Sequence, residues 1–187
     1  MTEISIIVPV RDESQNIKPF LLRTEKVLHK IGKHYEIIFA LDPSTDDTEA
    51  IILSEIKRNK NIRLLVFSRK FGQPAATIAG ISNCKGSYCV IIDVDLQDPP
   101  ELIENLYNKV TSGYEVVYAK RKSRKGETFL KKIISSTAYY LINKFSDVHI
   151  PRDTGDYRIF SRKVINHLLG LSESHGFLRG LVAYIGF

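Results

Sequence analysis

Short apolar runs rich in β-branched residues alternate with longer segments of helical spacing along this chain. Ile4 to Val8 is the first such run, and a continuous apolar run of this length is typical of a strand buried on both faces. Strands are predicted at residues 4–8, 35–41, 62–67, 88–92 and 116–119, and helices at 17–31, 48–57, 74–81 and from Pro99 onward. This alternation predicts an α/β fold, with a doubly wound, mostly parallel sheet and helices on both faces.

Polar residues cluster directly after four of the predicted strands, at 9–13, 42–47, 68–72 and 93–98. The ligands of doubly wound sheets bind outside the carboxyl ends of the strands. A single cluster is well explained as a polar turn. Four clusters at one edge of a sheet instead indicate a ligand site.

Asp93 and Asp95 stand one residue apart, just beyond the fourth predicted strand. Two carboxylates placed in this way can point toward a common cation, and oxygen ligands suit Mg²⁺ or Mn²⁺. Asp-x-Asp alone is a weak motif, but its position after a buried strand makes a metal site the favoured interpretation. Asp98 directly precedes Pro99-Pro100 and is predicted to cap the helix that follows.

Asp42 ends the second predicted strand, where a carboxylate can accept hydrogen bonds from a nucleobase or a ribose hydroxyl. Asp46 or Asp47 is assigned to capping, because such residues close turns and begin helices. The chain contains no Gly-x-Gly-x-x-Gly, no Gly-x4-Gly-Lys-Ser/Thr and no Gly-x-Ser-x-Gly. A dinucleotide site is therefore disfavoured, and a P-loop or a nucleophile elbow is excluded.

The length of 187 residues fits one domain, and 43% hydrophobic residues suffice for a core. The formal charge of +6 favours an anionic partner, namely nucleic acid, a phosphorylated substrate or an acidic membrane surface. Cys84 and Cys89 lack metal-site spacing and are interpreted as free thiols in a reducing compartment. No signal-peptide pattern and no apolar run of about 18 residues is present, so we expect the chain to be soluble or to lie on a membrane.

Residues 120–132 are strongly basic, and residues 130–145 carry an apolar stripe with helical spacing. Two interpretations remain open from the pattern alone. The stripe fits a helix that packs on the sheet with its Lys and Arg side chains solvated. It also fits an interfacial helix near anionic lipid.

An ordered set of motifs along essentially the whole chain resembles the inverting family 2 glycosyltransferases, and most closely the polyprenyl-phosphate glycosyltransferases. The motifs are Val8-Pro9-Val10-Arg11-Asp12-Glu13, Asp42-Pro43-Ser44-Thr45-Asp46, Ser68-Arg69-Lys70-Phe71-Gly72, Asp93-Val94-Asp95-Leu96-Gln97-Asp98-Pro99-Pro100-Glu101, Gly155-Asp156-Tyr157-Arg158 and Phe177-Leu178-Arg179-Gly180. The set is specific, although each motif alone is not.

The resemblance implies a GT-A fold and a single catalytic domain over residues 1–187. Within it, residues 1–119 would bind the nucleotide sugar and residues 120–187 would face the acceptor and the membrane. The implied nucleotide-binding residues are Pro9, Arg11, Glu13 and Asp42. The implied ligands of a metal that bridges the diphosphate are Asp93, Asp95 and Gln97. The implied phosphate-binding residues are Arg121 with Lys131 or Lys132. Asp95, Asp156 and Arg121 are the predicted catalytic residues.

Two features depart from the family pattern. Arg11 stands where an aromatic residue is frequent, and it could stack on the base or pair with phosphate. The usual Asp-Asp-Gly-Ser loop reads Leu41-Asp42-Pro43-Ser44 here, so one carboxylate is lost and the turn is stiffened. Asp42 therefore carries more of the nucleotide recognition.

The expected activity is metal-dependent, inverting transfer from a nucleoside-diphosphate sugar, with UDP-sugar favoured, to a polyprenyl phosphate at the cytoplasmic face of a membrane. Relatives of this type usually continue into transmembrane helices, so we expect a catalytic domain cut from a longer integral membrane protein. A soluble or polysaccharide acceptor is the first alternative. A basic nucleic-acid-binding domain is the second, but carboxylates clustered at strand ends would repel phosphates without metal, so no nucleic-acid partner is predicted. A homo-oligomer is compatible with the sequence.

Asp156 has two possible roles in such a reaction. A lipid monophosphate, with a second pKa near ~6, is largely ionised at neutral pH and needs little help from a general base. Asp156 would then orient the acceptor or a basic side chain. A sugar hydroxyl acceptor would instead require a true base.

Overall fold

The computed structural model describes residues 2–120, 154–171 and 178–187 of the chain. The strands are β1 Ile4–Val10, β2 Tyr35–Leu41, β3 Ile62–Val66, β4 Tyr88–Ile91, β5 Val116–Lys120 and β6 Thr154–Ser161. The helices are α1 Ser14–Ile31, α2 Thr48–Arg58, α3 Gln73–Asn83, α4 Leu102–Thr111, α5 Arg162–Leu169 and α6 Leu178–Tyr184. Each element predicted within the first 120 residues is present, and most boundaries differ by three residues or fewer.

The described strands form one sheet with the order β3-β2-β1-β4-β6-β5. β1 pairs in parallel with β2 and with β4, and β2 pairs in parallel with β3. β6 is antiparallel to its neighbours β4 and β5. The prediction of a mostly parallel sheet is therefore confirmed.

Helices cover the sheet on both faces because each central strand is apolar on both sides. Ile6 and Val8 of β1 belong to one core, together with residues of α1, α2 and α4. Ile7 belongs to a second core, together with residues of α3, α5 and α6. Burying each such side chain stabilises the fold by about 1.5–3 kcal/mol. The doubly wound arrangement is confirmed by this division of the core.

Among the described strands, β6 is the one that the sequence pattern does not predict, and the helices α5 and α6 near it were not predicted either. Its pairing is non-local, because it enters the sheet between β4 and β5 from a later part of the chain. Its apolar run is interrupted by Asp156 and by the buried Arg158, which hides the periodicity of a strand. Tyr157 and Ile159 nevertheless face one core, and Phe160 faces the other.

The prediction that Asp98 caps the next helix is wrong. Helix α4 begins at Leu102 and not at Pro99, and Glu101 holds the N-cap position without a side-chain capping bond. The carbonyl groups of Pro99 and Pro100 accept the N–H groups of Leu102 and Ile103, which makes a turn before the helix. Asp98 is buried just before this turn, three residues ahead of the N-cap residue Glu101.

A buried carboxylate, Glu36, ties together the edge of the sheet at which the parallel strands begin. Its Oε1 accepts the Ser5 hydroxyl at 2.7 Å and the Lys85 main-chain N–H at 2.6 Å, and its Oε2 lies 2.6 Å from Arg63 Nη1. Burial alone raises the pKa of Glu36, but these three donors outweigh it and hold the pKa below its ordinary value. The ionised form is therefore part of the folded state.

Glu36→Gln is expected to destabilise the protein by about 3 kcal/mol at pH 7, because breaking one side of a buried pair leaves donors unsatisfied. The sign of the pH dependence follows from the lowered pKa of Glu36. The stabilisation that Glu36 provides is complete above the unfolded-state pKa, about 4.3, and is lost as the pH falls through the folded-state pKa. Urea unfolding at pH 7, 5, 4 and 3 measures the free energy of unfolding of each protein. The difference between variant and wild type should become smaller below pH ~4. A gap independent of pH would contradict this role.

The turn between α3 and β4 is packed against the same edge. The Gly86 N–H donates to Ser5 Oγ at 2.8 Å, and its carbonyl accepts from the Arg162 guanidinium. A Cβ atom at Gly86 would lie 2.7 Å from the Ser5 main-chain nitrogen and 2.8 Å from the Tyr88 carbonyl oxygen. The turn therefore requires glycine. Cys84 and Cys89, on either side of it, are buried free thiols, as predicted.

Candidate functional site

A cavity of about 320 Å³ opens at the carboxyl ends of β1, β2 and β4. Six of the residues predicted from sequence line it, and these are Pro9, Arg11, Glu13, Asp42, Asp93 and Asp95. The other lining residues are Val10, Lys70, Gly72, Gln73, Ala76 and Val94. The strand-end clusters thus converge on one cavity, as the rule for doubly wound sheets predicts.

Asp42 closes one side of the cavity and is only 4% exposed. Its Oδ1 accepts the Phe71 N–H at 3.0 Å, and its Oδ2 accepts the Gly72 N–H at 2.7 Å. Gly72 has φ +88°, a conformation that favours glycine. Asp42 therefore holds the segment before α3, and each oxygen keeps a further lone pair for a ligand.

The loops after β1 and β2 are cross-linked at the rim of the cavity. Asp12 Oδ1 accepts the Thr45 N–H at 2.6 Å, and Asp46 Oδ2 accepts the Ser14 N–H at 2.9 Å. Asp46 Oδ1 also accepts the Thr48 N–H at 3.1 Å, in the first turn of α2. Of Asp46 and Asp47, the two residues assigned to capping, Asp46 makes the side-chain hydrogen bonds. These links fix the loop that carries Arg11 and Glu13.

Asp93 lies in an anionic environment. Burial raises the pKa of Asp93 to about 6, and the negative charges of Asp95, Asp156 and Asp98 add to the rise. A hydrogen bond of 2.8 Å from Gln73 Nε2 to Asp93 Oδ1 acts in the opposite direction. Four carboxylates thus share one region of the site, which a bound cation would stabilise.

Gln97 is placed differently from the two aspartates. Its side chain is exposed and does not line the cavity, while its main-chain N–H donates to Asp95 Oδ1 at 3.0 Å. Leu96, between Asp95 and Gln97, has φ +61°, so the chain turns sharply after Asp95. Among the described residues, no three His, Cys, Asp or Glu side chains form a ready-made metal site.

Asp156, at the start of β6, reaches the same region from an antiparallel strand. Arg179 of α6 donates to it through two nitrogens, with Nε 2.9 Å from Oδ1 and Nη2 3.2 Å from Oδ2. Arg158 Nη2 lies 3.7 Å from Asp156 Oδ1. The carboxylate is therefore held between two guanidinium groups, and the fork-shaped contact with Arg179 fixes its orientation.

Sequence reasoning assigned no role to Lys70 or Gln73, although both line the cavity. The signal was available in part, because residues 68–72 follow a strand and belong to the recognised motif set. Gln73 begins α3 directly after that motif. The predicted phosphate-binding residues Arg121, Lys131 and Lys132, and the apolar stripe at 130–145, lie outside the described residues.

Comparison with known proteins identifies the family. The family model described as "Glycosyl transferase family 2" matches residues 5–169. The chain belongs to glycosyl transferase family 2. The resemblance stated from the motifs is thus confirmed, and so is the expectation of a glycosyltransferase.

Relatives within family 2 match nearly all of this chain. It is 41% identical to the uncharacterized glycosyltransferase YkcC of Bacillus subtilis over 99% of its length. It is 35% identical over 98% of its length to the bactoprenol glucosyl transferase of Shigella phage SfV. The chain spans only 57% and 60% of the length of these two proteins.

Solved structures of low sequence identity share the fold of this family 2 domain. Glucosyl-3-phosphoglycerate synthase from Mycobacterium tuberculosis, solved with Mn²⁺, UDP and phosphoglyceric acid, superposes with a TM-score of 0.66 at 19% identity, over 97% of this chain and 63% of that one. The mannosyltransferase PcManGT from Pyrobaculum calidifontis, solved with GDP-Man and Mn²⁺, gives 0.65 at 17% identity, over 99% and 53%. The predicted GT-A fold is confirmed. None of the described helices is both long and apolar enough to cross a membrane.

Proposed function

We propose that this domain transfers a sugar from a nucleoside-diphosphate sugar, with UDP as the expected nucleotide, to a polyprenyl phosphate at the cytoplasmic face of a membrane. The reaction inverts the anomeric carbon and depends on Mg²⁺ or Mn²⁺. The observation that carries the proposal is the convergence of Asp93 and Asp95 with Asp42 and the loop after β1 on one cavity. Relatives named bactoprenol glucosyl transferases support the lipid acceptor.

The residues present fit a hard divalent cation. Asp93 and Asp95 offer carboxylate oxygens from one loop. The negative charges of Asp95, Asp156 and Asp98, which add to the effect of burial in raising the pKa of Asp93, favour positive charge there. Two protein carboxylates leave positions for water and for the donor diphosphate, as is usual for Mg²⁺. When bound, the cation supplies charge that offsets the negative charge developing on the leaving diphosphate.

Each side of the cavity has a distinct task in this proposal. Asp42 and the loop of Arg11 and Glu13 hold the nucleotide, because they line the cavity after β2 and β1, whereas Asp93 follows β4. Lys70 and Arg11 add positive charge to a lining that also carries four carboxylates. The acceptor oxygen then attacks from the side of Asp156. An ionised phosphate acceptor needs no proton removed, so Asp156 serves to orient rather than to act as a base.

The direct test is calorimetric binding of UDP and of GDP with and without Mn²⁺, together with transfer of labelled sugar from a panel of UDP- and GDP-sugars. Polyprenyl phosphate in detergent serves as the acceptor, and soluble sugar acceptors form the comparison arm. We expect metal-dependent binding of UDP and labelled lipid product. Absence of any metal-dependent nucleotide binding would overturn the proposal. Transfer only to a soluble acceptor would overturn the proposal that the acceptor is a polyprenyl phosphate.

Asp156→Asn is expected to lower the rate of transfer about 10–100-fold, because one charge-assisted contact worth about 1.5–3 kcal/mol is lost. The shape of the pH profile of kcat should stay the same, since the carboxylate orients Arg179 and does not take a proton. Arg179→Lys should reduce the rate in the same way, because lysine cannot make the two-nitrogen contact. Disappearance of the acid limb of the profile in Asp156→Asn would identify Asp156 as a base.

A further inference from the structure

The segment from Phe71 to Gln73 joins two carboxylates that the sheet keeps apart. Asp42 follows β2 and Asp93 follows β4, and β1 lies between these strands. The N–H groups of Phe71 and Gly72 donate to Asp42, and the next residue, Gln73, donates to Asp93 Oδ1 at 2.8 Å. Three consecutive residues therefore span the cavity from its predicted nucleotide side to its predicted metal side.

This segment is held firmly at both ends. On one side, Arg69 lies over the Phe71 ring with 4.0 Å from Cζ to the ring centroid, and the rings of Phe67 and Phe71 are 5.5 Å apart. On the other side, Gln73 is the first residue of α3, which is anchored by its buried Ala76 and by further residues toward its end. Because its main chain is fixed at the start of α3, Gln73 presents its amide within reach of Asp93.

The chemistry of the amide suits a supporting role. A lysine or arginine at this position would neutralise Asp93 and repel a cation. The neutral Gln73 amide instead restrains one oxygen of Asp93 without adding charge. Groups that hydrogen-bond to metal ligands orient them, and their removal typically weakens metal binding about 10–100-fold.

We propose that Gln73 is a positioning residue that holds the Asp93 carboxylate ready for the divalent cation. This inference rests on the proposed function, since it assumes that Asp93 is a metal ligand. In this role Gln73 acts through its hydrogen bond to Asp93. The segment 71–73 thereby links Asp42, which accepts its main-chain N–H groups, to the proposed metal ligand Asp93.

The test is Gln73→Met, which keeps the length of the side chain and removes the donor. Gln73 is exposed, so the variant should fold with an unchanged melting temperature. Mn²⁺ binding, followed by electron paramagnetic resonance without nucleotide and again with UDP, should weaken about 10–100-fold. UDP binding without metal should change less than about twofold, because the hydrogen bonds of Asp42 come from main-chain groups. Ser82→Ala, on the exposed far end of α3, is the matched control.

The outcomes separate this inference from the proposed function. If wild type binds Mn²⁺ and Gln73→Met binds it equally well, the positioning role is wrong and the proposed function stands. If wild type binds no Mn²⁺ even with UDP, the metal-dependent function fails and the inference fails with it. An equal loss in Ser82→Ala would also overturn the inference, because the effect would then belong to the helix in general.

Discussion

Asp95→Asn is expected to lower sugar transfer by about 10³-fold while the protein stays folded. Asparagine has nearly the same shape as aspartate, and its side-chain oxygen can still accept the Gln97 N–H that Asp95 accepts at 3.0 Å. What is lost is one of the two carboxylate charges that would hold the proposed cation. In the proposed reaction that cation would supply several kcal/mol of transition-state stabilisation, and about 1.4 kcal/mol corresponds to a factor of ten in rate.

The measurement is initial-rate transfer at saturating donor over a range of Mn²⁺ concentrations, with circular dichroism to verify the fold. Glu49→Gln is the matched control, because it removes one exposed carboxylate from the first turn of α2 and leaves the cavity intact. Its activity should lie within about twofold of wild type, as exposed charges contribute little. A folded Asp95→Asn variant that retained more than a tenth of the activity would show that Asp95 is not a required ligand.

Gly86→Ala is expected to destabilise the fold by about 2–4 kcal/mol. The new Cβ would overlap main-chain atoms of Ser5 and Tyr88, which lie in paired strands and cannot move away cheaply. Added atoms in a packed site typically cost about 1–3 kcal/mol, and here a hydrogen bond to Ser5 is also strained. In a domain of this size the melting temperature should fall by roughly 6–12 °C.

Gly170→Ala provides the matched control for this prediction. Gly170 has φ −77°, which alanine adopts readily, and its nearest neighbour to a new Cβ, the His167 carbonyl oxygen, is 3.4 Å away. The free energy of unfolding of Gly170→Ala should stay within about 0.5 kcal/mol of the wild-type value. Urea unfolding of both variants at pH 7 makes the comparison. Equal stability of Gly86→Ala and wild type would show that the turn can rearrange.

The parallel part of the fold could be predicted because its signals are local. Runs such as those of β1 and β2 are apolar on both faces, and each is followed by a helix of its own. β6 could not be predicted in this way, because its place is decided by pairing with strands far away in the chain. Asp98 was misassigned for a related reason, since two prolines signal a turn as readily as a helix start.

In the candidate site, too, the residues could be predicted from the sequence, whereas their hydrogen-bond partners could not. Asp42, Asp93 and Asp95 were placed at one edge by the topology rule alone, and they line one cavity. The partners of these carboxylates could not be foreseen. Nothing in the sequence near Asp42 indicates that its oxygens accept N–H groups of residues 71 and 72, or that Gln73 reaches Asp93. Such contacts depend on how a loop folds back, which has no periodic signature.

The position of β6 between β4 and β5 has a consequence for synthesis on the ribosome. Chains emerge from the amino terminus at about 5–20 residues per second. The four strands β3, β2, β1 and β4, which carry Asp42 and lead into Asp93, can pair as soon as they emerge, while β5 waits for β6. Until residue 161 is available, both β4 and β5 expose unpaired edges, which are prone to join other chains. The nascent protein is therefore open to aggregation in the interval between completing β4 and adding β6 with Asp156.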